Sequence, residues 1–152
     1  TILGICTGAI AGLAAITPTS GVSGPVGALI IGLASGAICW FFSITVKNKL
    51  GYDDSLDVVG VHGVGGLVGT LLAAVVAVGA LQGTQNGQGD EYNMLSQLGT
   101  QAMGSLFTIV FTAVVTVVIL LIIKHTVGLR VDEADESIGL DQSAHGETAY
   151  ND

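Results

Sequence analysis

The chain has 152 residues, a formal net charge of −8, 50% hydrophobic and 11% charged residues, 23 glycines and a mean hydropathy of +0.73. Soluble domains carry roughly 25% charged residues, so fewer than half the charges that would cover a water-facing surface are present and an ordinary soluble enzyme is excluded. The acidity belongs to one end: seven of the twelve acidic residues lie in the last 21 positions and five acids meet four bases before Val131, so the charge says nothing about nucleic acid.

No Asp, Glu, Lys or Arg occurs from Thr1 to Val46, from Val58 to Gly89 or from Tyr92 to Ile123. Uncharged apolar runs longer than about 18 residues read as membrane-spanning helices. Four segments emerge. The first covers about 1–16 and opens at Thr1-Ile2-Leu3-Gly4 with no initiator Met, so the chain reads as a piece of a longer protein, cut inside or just before a helix. Thr17-Pro18-Thr19-Ser20-Gly21 breaks it. The second covers about 24–46, with Pro25 in its first turn, where a missing N–H costs little. The third covers about 58–81. A polar loop from Gln82 to Asn93 follows, then the fourth segment over about 94–123, ending at Lys124-His125. Residues 1–130 thus form an all-α, integral-membrane region, and 131–152 form an acidic C-terminal tail.

The four bases set a topology. Lys47 and Lys49 follow the second segment, Lys124 and Arg130 follow the fourth, and the other two connections carry none. The positive-inside rule places the basic ends and the tail in the cytoplasm, making this a multi-pass protein of the cell membrane. Small residues recur at helical spacing: Gly4, Gly8 and Gly12; Ala28, Gly32 and Gly36; Gly60, Gly63, Gly66 and Gly69. Such stripes let helix backbones approach closely in lipid and predict a tightly packed bundle. Cys6 and Cys39 lie inside apolar runs, where packing rather than a disulfide is expected.

His62 is the most informative residue, five positions inside the third apolar run. At 1.5 Å per residue that is roughly 7 Å below the boundary, or roughly 14 Å if the helix starts near Asp53. An ionisable group there faces a bundle interior, a partner or a solute path; the plainer alternative is a neutral imidazole bonded to a neighbouring helix. Asp53, Asp54 and Asp57 form an acidic mouth before this segment, serving either as helix caps or as a binding surface. Trp40, Phe41 and Phe42 read as an interfacial belt. Gly21-Val22-Ser23-Gly24 matches the G-x-S-G of rhomboid serine proteases, but Ser23 and His62 are separated by about 15 Å or more along the membrane normal, against the roughly 3 Å a nucleophile and its base require. Tyr52-Asp53 lacks the G-x-G-D that an intramembrane aspartyl protease needs. Neither protease is supported, and no enzyme, metal site or cofactor is expected.

The run from Lys49 through Tyr52-Asp53-Asp54-Ser55-Leu56-Asp57-Val58-Val59-Gly60-Val61-His62-Gly63-Val64-Gly65-Gly66 resembles the signature around the second pore histidine of the ammonium transporter/methylammonium permease/Rhesus family. Ala15-Ile16-Thr17-Pro18 and Gly27-Ala28-Leu29-Ile30-Ile31-Gly32 are similar to the two preceding helices. Thr126-Val127-Gly128-Leu129-Arg130-Val131, Gly139-Leu140-Asp141 and His145-Gly146-Glu147-Thr148-Ala149-Tyr150 are similar to the C-terminal region.

The resemblance implies an eleven-helix fold with an inverted repeat, assembled as a homotrimer in lipid, of which this chain supplies the last four helices and the tail. It implies ammonium/ammonia transport through a pore lined by His62 and Val58, with His62 as the second member of a proton-relaying pair whose first member lies elsewhere. A PII-type signalling protein is implied as a partner at the cytoplasmic face, where Asp53, Asp54 and Asp57 lie. Gly128, Arg130, Asp141, Ser143, His145, Gly146 and Tyr150 fall in the regulatory tail, and Ser143 sits where plant relatives carry a phosphorylatable Thr. An ammonium sensor of the same fold, or an inactive remnant, are the alternatives; a sensor is expected to carry a signalling domain, for which 22 tail residues are too few.

Overall fold

The computed structural model describes residues 1–148, and every regular element among them is helical. Four of its helical stretches are long and apolar enough to cross a membrane: Ile2–Thr19, Pro25–Leu50, Val58–Val76 and Met94–Thr126. Two compact units are present, Thr1–Phe107 and a second beginning at Thr108.

Helix α1 (Ile2–Ile16) starts where the Thr1 hydroxyl accepts from Gly4 N at 3.1 Å and ends in a 3₁₀ turn, Thr17–Thr19, that carries Pro18. Helix α2 (Pro25–Phe41) begins on Pro25, passes through a π-turn (Phe42–Val46) and continues as α3 (Lys47–Leu50) until Gly51 turns left-handed at φ +65°. The apolar run stops at Val46, yet the helix goes on, because Lys47 and Lys49 are favoured by the negative end of the helix dipole. A second π-turn (Val58–Gly63) leads into α4 (Val64–Val76).

Hydropathy carries the third segment to Leu81, but the α-helix stops at Val76. Val78 is extended, and a separate 3₁₀ turn spans Gly79–Leu81. The Tyr92 hydroxyl takes the Ala74 carbonyl at 2.6 Å, so this helix end is closed by a side chain rather than by another turn. Helix α5 (Met94–Thr126) is capped by Asn93, whose Oδ1 accepts from Ser96 N. It ends where Val127 N and Gly128 N both donate to Ile123 O and Gly128 adopts φ +92°.

Helices α1, α2 and α4 pack pairwise. Their shared face is a set of four-residue ladders: Ala11, Ala15 and Thr19; Gly27, Ile31, Ser35 and Cys39; Val61, Gly65, Gly69 and Ala73. Two clusters fill it, Ala11–Cys39–Val61 and Ala15–Ile31–Val76. The closest approach is at Gly69, where a Cβ would overlap the Ala15 carbonyl.

The glycine stripes foretell this packing at Gly60 and Gly69 but not at their other positions. A Cβ added at Gly8, Gly12, Gly32, Gly36, Gly63 or Gly66 would meet nothing within 4 Å among the described residues. The contacts run along neighbouring rows of small residues instead, while Gly8 and Gly36 line an open apolar groove of about 450 Å³ with Thr7, Ala11 and Trp40. Cys39 is buried, Cys6 is exposed, and both are free thiols.

The connections at one end of the three-helix group touch: Thr84 N donates to Val22 O at 3.0 Å, joining the two loops that carry no base. At the other end the α3–π-turn connection is tied by Lys47. In the second unit, α6 (Glu133–Ile138) and α7 (Leu140–His145) are hinged at Gly139, φ +97°, so the acidic tail is not a featureless coil.

Candidate functional site

His62 lies in the second π-turn, and its side chain opens onto a groove of about 560 Å³ lined by Ile10, Leu13, Ala14, Thr17, Pro18 and Gly66. The walls are apolar apart from the Thr17 hydroxyl, which is spent on the Leu13 carbonyl at 2.7 Å. The imidazole makes no hydrogen bond to any described residue. The alternative in which it bridges to a neighbouring helix therefore finds no partner in α1 or α2. Val58, also placed in the pore by sequence, is 54% exposed at the start of the same turn.

The acidic mouth divides by task. Asp54 caps the π-turn with both oxygens, accepting from Val58 N at 2.8 Å and Val59 N at 2.9 Å. Asp57, left-handed at φ 53°, takes Lys47 Nζ at 2.7 Å, and the same ammonium donates to the Asp54 carbonyl at 2.8 Å. Asp53 is exposed and accepts from Ser55 Oγ at 3.2 Å. Only Asp54 acts as a helix cap; Asp57 is held in an ion pair, and Asp53, which binds only the neighbouring Ser55 hydroxyl, is the one presented outward.

Lys47 and Ser43 were not legible as site residues. Lys47 reads in sequence only as a topology marker. The signal was a lysine and an acidic residue flanking a glycine turn, ten positions apart. Ser43 faces Gly60, where an added Cβ would come within 3.1 Å of the Ser43 backbone, and Ser43 Oγ is buried with no hydrogen-bond partner among the described residues.

The tail residues do not converge on one point. Gly128 turns the chain after α5. Arg130 grips Glu136 through two bonds of 2.8 Å. Asp141, Ser143 and His145 lie on α7, and Gly146 ends it at φ +65°. Tyr150 lies outside the described residues. The aromatic group near the π-turn has Trp40 and Phe41 exposed, with Phe41 edge-on to Phe42 at 5.9 Å.

A profile of the Ammonium Transporter Family matches residues 1–150. The chain is 45% identical over 151 residues to an "Ammonium transporter" of Aquifex aeolicus, covering 99% of this chain and 35% of the relative. It is 42% identical over 161 residues to one of Mycobacterium tuberculosis (99% and 32%), and 41% identical over 152 residues to one of Bacillus subtilis (100% and 37%). The chain therefore spans about a third of the length of the curated relatives it matches.

Proposed function

This chain belongs to the ammonium transporter family, and from that premise we propose that it forms one side of a pore that takes ammonium across a membrane, with His62 relaying protons in it. The observation that carries this reading is an imidazole without a partner, held on an otherwise uncharged helix and opening onto an apolar groove.

The chemistry follows from solvation. Ammonium is strongly hydrated, and carrying it intact through an apolar passage costs its hydration. If the proton is taken up at the mouth of the groove, neutral ammonia passes along walls such as Ile10, Leu13 and Ala14 without that cost. A neutral imidazole has one donor and one acceptor nitrogen, so His62 hands a proton on when a second such group stands beside it. The second imidazole, in this reading, comes from segments of the relatives that the chain does not cover.

Three further parts belong to the same proposal. The chain is the last third of an eleven-helix protein assembled as a trimer, supported by the coverage of its relatives and by the apolar faces that α1, α2 and α5 leave exposed. The bases and the tail lie in the cytoplasm, supported by the base-free loops joined at the opposite end. A PII-type regulator meets the cytoplasmic face at Asp53 and the tail, with Ser143 exposed on α7 as a candidate for phosphorylation.

The test is His62→Ala in a full-length protein carrying this chain. A lone imidazole without a bond to lose leaves assembly unchanged, while ammonium uptake or current falls by at least about 10²-fold, the range general acid–base groups contribute. Normal currents in a correctly assembled protein would remove His62 from the mechanism.

A further inference from the structure

We infer that Lys47, through Asp57 and Asp54, is a positioning residue for His62: it locks two facing π-turns and so fixes the direction in which the imidazole meets its groove. This rests on the reading of His62 given above.

The imidazole has no hydrogen bond of its own among the described residues, so its direction is inherited from the backbone that carries it. That backbone is a π-turn, a geometry that is rare, tends to mark functional sites and needs its surroundings to hold it. Two of them, Phe42–Val46 and Val58–Gly63, are in contact. They interlock where Gly60 presses on the Ser43 backbone, beside a buried Ser43 hydroxyl with no hydrogen-bond partner among the described residues.

Lys47 is the residue immediately after the first π-turn, and Asp57 is the residue immediately before the second. Their ion pair at 2.7 Å joins the end of one turn to the start of the other, and the donation to the Asp54 carbonyl at 2.8 Å makes the hold two-pointed. Asp54 and Asp57 then act on the turn itself. The Asp54 carboxylate takes two of its free N–H groups, and the Asp57 carbonyl accepts from Val61 N at 2.8 Å, one residue before His62. The chain of contacts from the Lys47 ammonium to residue 62 is unbroken. Both side chains are partly shielded, at 25% and 30% exposure, so water weakens the pair less than it would a surface pair.

The experiment reads geometry, in a full-length protein carrying this chain and reconstituted in lipid. His62→Cys is combined with Cys6→Ala, while Cys39 stays because it is 2% exposed and inert. The rate of modification at position 62 by a small neutral thiol reagent is then compared with that at Asn86→Cys, at the other end of the bundle. Asp57→Asn removes the charge while Asn still tolerates the left-handed backbone, and Lys47→Gln keeps a neutral donor. Each is expected to shift the rate at 62 by about five-fold or more, because thiol reactivity tracks access, with the rate at 86 unchanged. The double variant should shift it no further, since the residues act as one unit.

Lys47→Arg keeps the charge and two donations, so it should hold the rate at 62 within about two-fold of the parent. With His62 intact, Asp57→Asn and Lys47→Gln should lower transport by about ten-fold or more, as a misplaced reacting group does. An unchanged rate at 62 in Asp57→Asn or Lys47→Gln overturns the inference. If neither accumulates, the double variant, which leaves no charge unpaired, decides it: a shift of about five-fold or more at 62 supports the inference and an unchanged rate overturns it. Because the rate at 62 is read without transport, failure here leaves the pore reading to the His62→Ala measurement.

Discussion

Gly69 and Gly66 lie three residues apart on α4 and should respond to the same substitution in opposite directions. At Gly69 a Cβ would sit 2.8 Å from the carbonyl carbon of Ala15 and 2.9 Å from its Cα, where ordinary contacts are 3.4–4 Å, and the atoms in the way are backbone. Helices α1 and α4 must part to admit it. Overpacking of this kind costs about 1–3 kcal/mol, and replacing a helical glycine by alanine returns about 0.5–1 kcal/mol. Gly69→Ala is therefore expected to lose up to about 2.5 kcal/mol. At Gly66 nothing lies within 4 Å, so Gly66→Ala keeps the gain alone, about 0.5–1 kcal/mol. Thermal unfolding of the two full-length variants in the same detergent, followed by helix ellipticity, should separate them by about 1–3 °C, since a protein roughly three times this chain's length shifts by only about 1 °C per kcal/mol. Gly66 also lines the His62 groove, so its variant should be more stable and yet slower in transport. Equal stabilities, or a Gly69→Ala protein more stable than Gly66→Ala, would refute the packing described for α1 and α4.

A cysteine placed at Asn86 should react with an impermeant reagent from the outer face only; reaction from the cytoplasmic face alone would invert the proposed topology. Tyr92→Phe should cost about 1 kcal/mol, because it takes a hydrogen bond from the Ala74 carbonyl at the end of α4. Burial pushes the Tyr92 hydroxyl above its ordinary range near 10. A raised folded-state value leaves this stability intact below that range and removes it as the pH climbs further, so the wild type should show an alkaline loss that Tyr92→Phe lacks; identical alkaline limbs would count against it.

The helices were legible because the signal for a membrane span is coarse: long gaps in the charge pattern, which survive any rotation of the helix. The family was legible for a different reason, the length of the motif from Lys49 to Gly66. What could not be read was azimuth. Gly4-x-x-x-Gly8-x-x-x-Gly12 and the row Ala11, Ala15, Thr19 are both four-residue repeats of small side chains, and only tertiary contact chooses between them. The structure chose the second. Asp57 and Lys47 were hidden similarly, since pairing across the Gly51 turn depends on which of three nearby aspartates turns left-handed, and all three tolerate that backbone equally.

The azimuth of His62 follows from the same geometry. Carried back from α4 at about 100° per residue, position 62 would lie about 60° from Gly65 and about 20° from Gly69. That is the middle of the row buried against α1, where an imidazole would have neither room nor a partner. A π-turn closes its hydrogen bonds one residue later and holds more residues per turn, so each residue advances by a smaller angle. Counting back through Gly63 and His62, the lag accumulates and swings position 62 away from Gly69 and toward Gly66. Val61 then continues the buried row of Gly65, Gly69 and Ala73, while His62 and Gly66 open onto the same groove. One irregular turn thus lets a helix that is close-packed against its neighbour present an ionisable side chain beside that contact. A regular α-helix with this sequence would have to give up either the approach at Gly69 or the exposure of His62.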